Sequence, residues 1–89
     1  MVYYIDDVCN SKVINAINCL SRIHVATVTT EGYDYDINEA RHGFLLIQFC
    51  RVKCYNLISA DGHHLKRWRA LILLNTTLSQ FSTSHHISS

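Results

Sequence analysis

Proline is absent from this chain, so no segment is forced to end for want of a backbone N–H, and boundaries must come from caps and from only three glycines. Long apolar runs are missing as well. No unbroken one is longer than Gly43 to Ile47, far short of the roughly 20 residues that span a bilayer, and no membrane contact is expected. Charge is sparse at 17% against 48% hydrophobic residues, a balance too apolar for a solvated disordered chain. With 89 residues there is room for one core and no second domain.

A basic lead followed by an apolar block is also lacking, because Asp6 and Asp7 arrive almost at once. The expectation is an intracellular chain, cytoplasmic or nuclear. Its four cysteines, Cys9, Cys19, Cys50 and Cys54, have three possible pairings but are expected as reduced thiols. Asn75-Thr76-Thr77 is a formal glycosylation acceptor that needs export to mean anything.

What is present reads first as alternating elements. Met1 to Asp6, with Val2, Tyr3, Tyr4 and Ile5, is predicted as a short strand. Val13, Ile14, Ile17 and Leu20 recur at helical spacing and predict a helix over 10–22, capped by Asn10 or Asp7. The β-branched density from Ile23 to Thr30 predicts a strand. Between Asn38 and Ile58 periodicity is ambiguous. Phe44-Leu45-Leu46-Ile47 is apolar on every side, Gly43 and the Arg51–Tyr55 alternation favour strand, and Asn38-Glu39-Ala40 would open a helix well; strand is preferred. Ser59 to Gly62 reads as a turn. Beyond it Leu65, Trp68, Leu71, Ile72, Leu74, Leu78 and Phe81 trace a wide apolar helix face, with Trp68 expected in the core.

The resulting expectation is an α+β sandwich, two helices on one face of a three- to four-stranded, mainly antiparallel sheet. The globular domain would span 1–81, with a flexible polar tail at 82–89.

Charge is unevenly placed. Residues 1–40 carry six acids and two bases, whereas residues 41–89 carry one acid and six bases. The acidic segment Glu31, Tyr33, Asp34, Tyr35, Asp36 and Glu39 is the first candidate surface, for a protein partner. The basic set Arg51, Lys53, Tyr55, Lys66, Arg67 and Arg69 is the alternative, for nucleic acid, since guanidinium groups neutralise phosphates and rings stack on bases. A third reading, self-assembly into a homodimer or larger structural oligomer, draws on the apolar run from Phe44 to Phe49 and on the opposite charges of the halves.

Metal and catalytic signatures are weak. Asp34, Asp36 and Asn38 begin like a calcium loop, but Glu39 replaces the glycine of the bend and Leu45 stands where the closing glutamate belongs. Cys50, Cys54, His63 and His64 lack zinc-finger spacing, and on a strand the two thiols would lie about 13 Å apart, too far for one ion. No cofactor is called for. Tyr4-Ile5-Asp6-Asp7 resembles the Tyr-x-Asp-Asp of retroelement reverse transcriptases, whose carboxylates hold two metals. The resemblance covers four residues, and that family needs a further acid and whole palm and fingers that these 89 residues do not supply. Acids that favour the start of the following helix explain Asp6 and Asp7 equally. The expected function is therefore a small non-enzymatic interaction protein, a regulator or inhibitor of the kind viruses and mobile elements encode.

Overall fold

Three helices hold nearly all of the described chain: α1, Ser11–Thr29; α2, Ile37–Asp61; and α3, Leu65–His85. The computed structural model describes residues 9–29, 33–62 and 65–85, without the side chains of Asp61 and of 83–85. Among the described residues there is no strand, so the expected α+β sandwich is corrected to an all-helical bundle. The strand expected at Met1 to Asp6, and the Tyr4–Asp7 motif with it, lies outside the described residues.

Helix α1 starts where its periodicity says it should. The Asn10 side-chain oxygen accepts from the backbone N–H of Lys12 at 3.1 Å and of Val13 at 3.3 Å, satisfying two of the donors that a helix start leaves open. Val13, Ala16, Ile17 and Leu20 are buried, and Ile23 extends the same stripe by one turn. That extension is why the expected strand from Ile23 to Thr30 is helical as far as Thr29. The stripe's packing outweighs the modest helix cost of Val25, Thr27, Val28 and Thr29. Thr29 also turns its hydroxyl inward, donating to the Val25 carbonyl at 2.8 Å.

Helix α2 overturns the preference for strand over 38–58. Asp36 is its N-cap, with extended backbone and a carboxylate that accepts from the N–H groups of Asn38 at 2.9 Å and Glu39 at 3.3 Å. Ala40, Phe44, Ile47, Cys50, Cys54 and Ile58 are buried at intervals of three and four, which only a helix puts on one side. The expected turn at Ser59–Gly62 shrinks to Gly62. Its φ of 82° is the left-handed value a side chain resists, and its N–H closes the helix on the Ile58 carbonyl at 2.9 Å.

Helix α3 is confirmed and divided. Ala70, Leu71, Leu74, Thr77, Leu78 and Phe81 face inward, whereas Leu65, Trp68 and Ile72 are exposed, so the wide face read from sequence is two faces and Trp68 is not a core residue. Buried Thr77 donates its hydroxyl to the Leu73 carbonyl at 2.9 Å, which satisfies it without a partner elsewhere. The helix continues past Phe81 to His85.

Pairings across the bundle fix its topology. Cys9 meets Cys50, Ala16 meets Gly43 and Cys19 meets Glu39, so numbers rise on α1 as they fall on α2. Cys54 meets the Arg67 carbonyl and Phe44 meets Phe81, which makes α2 and α3 antiparallel too. All three helices pack on one another around a single cluster. Gly43 permits a close approach of α1 and α2: a Cβ there would stand 3.3 Å from that of Ala16.

Candidate interaction surface

The structure gives the acidic segment mostly architectural work. Glu31 lies outside the described residues. Tyr33 is exposed and stacks on Tyr35, ring centroids 6.2 Å apart, and Tyr35 in turn meets Phe81 edge-on at 6.2 Å. Tyr35 is half-buried, and burial pushes its phenol above the ordinary range. The pair thus pins the α1–α2 connection onto the core. Asp36 is occupied as the α2 cap, and Glu39 accepts the Cys19 thiol at 3.8 Å across to α1. Asp34 is exposed and has neither task.

The basic set divides as well. Lys53, Tyr55, Lys66 and Arg69 are exposed, whereas Arg51 and Arg67 are half-buried. They come from two helices, with α2 supplying the first pair and α3 the second.

The cysteines depart furthest from expectation. Cys9 and Cys50 form a disulfide across 41 positions of chain, with Cα atoms 6.1 Å apart, which corrects the expectation of four reduced thiols. Nothing local in the sequence signals that residue 9 and residue 50 are neighbours. Cys50 and Cys54, expected to be about 13 Å apart on a strand, are instead one helical turn apart on the core side of α2. Cys54 is fully buried and donates its thiol to the Arg67 carbonyl at 3.2 Å. Burial raises its pKa, against a smaller opposing pull from Arg67. Cys19 is raised chiefly by burial and then by the Glu39 charge, with Arg22 opposing. Neither thiol is therefore an activated nucleophile at neutral pH. Cys19 and Glu39 border a cleft of about 350 Å³ between α1 and α2, with Lys12, Asn15 and His42 on its rim and Ala16 and Gly43 at its floor. His63 and His64 fall outside the described residues, and among the described residues no three metal-capable side chains converge.

A further surface emerges on α2. Leu45, Phe49, Val52 and Tyr55 are 49, 62, 55 and 58% exposed. At 3.6 residues per turn, Leu45, Phe49 and Val52 fall opposite the buried Ala40–Phe44–Ile47–Cys54–Ile58 stripe, so α2 is apolar on two sides. Shallow depressions follow this second side: one of about 470 Å³ among Phe49, Val52, Asn56 and Ala60, and one of about 290 Å³ where Val52 and Tyr55 meet Leu71 and Asn75 of α3. The run from Phe44 to Ile47, apolar on every side in sequence, with Phe49 just beyond Gln48, was the available signal for a double-sided helix. No protein-family model, curated protein or solved structure matches the chain.

Proposed function

We propose that this chain is a small non-enzymatic protein-interaction module whose working surface is the outer face of α2. The observation that carries this reading is the exposure of Leu45, Phe49 and Val52 together on the side of one helix opposite its buried stripe. The fold has no further use for that stripe, and a contiguous apolar patch with a polar rim is the usual mark of a docking site. The acidic segment, by contrast, spends Tyr35 and Asp36 on anchoring and capping. Capture on immobilised protein tests the assignment, with wild type compared against Phe49→Asp and against Asp34→Ala. Partners retained by wild type and by Asp34→Ala but lost by Phe49→Asp support it. Loss on Asp34→Ala alone returns the site to the acidic segment and sinks this assignment.

A second reading rests on the joint exposure of Lys53, Tyr55, Lys66 and Arg69. Used on nucleic acid, these residues give an affinity that falls steeply with added salt, because each phosphate contact releases counterions. Binding that stays flat from low to physiological salt disposes of that reading.

A further inference from the structure

We infer that the occupant of the outer α2 face is a second copy of this chain, with the two α2 helices packed antiparallel about a two-fold axis between Phe49 and Val52. The inference rests on reading that face as the docking surface and adds what covers it. Leu45, Phe49, Val52 and Asn56 follow one another at four, three and four residues, the spacing of a seam between two helices. Read in reverse, the seam fits itself: Phe49 faces the partner's Val52, and Leu45 faces the partner's Asn56. In this register no charge on α2 lies opposite its like on the partner's α2, since Lys53 lies opposite Gln48, His42 opposite Ser59 and Arg41 opposite Ala60.

The charge split selects the direction. At 1.5 Å per residue, α2 begins about 20 Å to one side of the axis and ends about 16 Å to the other, so the ends of two antiparallel copies come level. Asp34 stands just ahead of the first end and Glu39 in its first turn, with Arg41 beside them, while the second leads through Gly62 into Lys66 and Arg69 of α3, all of them exposed. Antiparallel pairing sets an acidic end against a basic end twice over, whereas parallel pairing stacks like on like. The size is adequate as well. Leu45, Phe49 and Val52, with the exposures given above, offer on the order of 350 Å², and the rim residues Gln48, Lys53 and Asn56 bring the face to roughly 600 Å² per partner, the lower end of a specific interface.

Sedimentation equilibrium of the full, oxidised chain from micromolar to millimolar concentration tests the inference, with circular dichroism confirming that each variant keeps its helices. Wild type is expected at twice the chain's mass. Val52→Glu raises the dimer dissociation constant at least about tenfold, and Val52→Ala moves it in the same direction. Val25→Glu, altering a valine of α1 that is 59% exposed on the side away from the core, leaves it within about twofold. Asp34→Lys weakens the dimer severalfold, and adding Lys66→Glu recovers it. A wild-type chain that stays monomeric to millimolar concentration overturns self-pairing, and the capture comparison above then reports separately whether the face docks something else. A dimer indifferent to Val52→Glu overturns the placement.

Discussion

The two sides of α2 are built from the same kinds of residue and have opposite fates. Ala40, Phe44, Ile47, Cys54 and Ile58 are enclosed by α1 and α3, while Leu45, Phe49 and Val52, interleaved with them in sequence, remain about half or more in solvent. Helix α1 shows the ordinary arrangement, one buried apolar stripe from Val13 to Ile23, with Val25 and Val28 as exposed apolar residues in its last two turns. The contrast teaches that a single stripe suffices to hold a helix in this bundle. A second stripe on the same helix is therefore surplus to folding and available for contact with another molecule.

The comparison breaks most visibly in the core. Phe81 is fully buried beneath Tyr35 and Phe44, so Phe81→Ala is expected to cost about 3–5 kcal/mol in urea unfolding. A loss below 1 kcal/mol would mean that the inward stripe is not the core. The disulfide comes next. Cys9→Ser opens a loop of 41 positions, and the chain-entropy model puts the loss near about 4 kcal/mol, with reductant producing the same destabilisation in wild type. Identical melting with and without reductant would contradict the pairing. Gly43→Val then probes the α1–α2 contact. The added Cβ would itself stand 3.3 Å from Ala16 and 3.9 Å from Leu20, so valine with its two further methyl groups is expected to cost about 1–3 kcal/mol, outweighing the gain from removing a helix glycine.

Alkaline pH offers a gentler probe of the buried side. Burial raises the folded-state pKa of Cys54 above its ordinary 9.0 and that of Tyr35 above 10.0, so the unfolded chain loses these protons first. Stability is then complete below pH 9 and declines as pH rises through the ordinary values towards the folded ones. Unfolding measured from pH 7 to 10.5 should show that decline, with a shallower slope in Cys54→Ala. A slope identical in the two proteins would remove Cys54 as a contributor.

The sequence was legible where one periodicity dominated. The stripe Val13–Ile17–Leu20 and its Asn10 cap were readable, as was the helix carrying Leu71, Leu74, Leu78 and Phe81. Reading failed where local preference and tertiary packing disagreed. Ile23 to Thr29 has the composition of a strand, but Ile23 completes the α1 stripe and its burial decides the matter. At Phe44 to Ile47 two stripes overlap, so no single period shows and strand and helix look alike. The acidic segment stood out by charge alone, and charge does not show that Asp36 is committed to a helix start or that Tyr35 rests on Phe81. The Cys9–Cys50 link was illegible in principle, because it depends on how α1 and α2 are brought together.

The most direct test of the double-sided helix is a paired urea unfolding of Phe44→Ala and Phe49→Ala, at a protein concentration low enough to keep the outer face uncovered. Phe44 is 4% exposed and Phe49 62%. The expected result is a loss of about 3–5 kcal/mol for Phe44→Ala against at most about 0.5 kcal/mol for Phe49→Ala. Equal losses at the two positions would show that both sides of α2 serve the fold, and would contradict the assignment of its outer face to contact with another molecule.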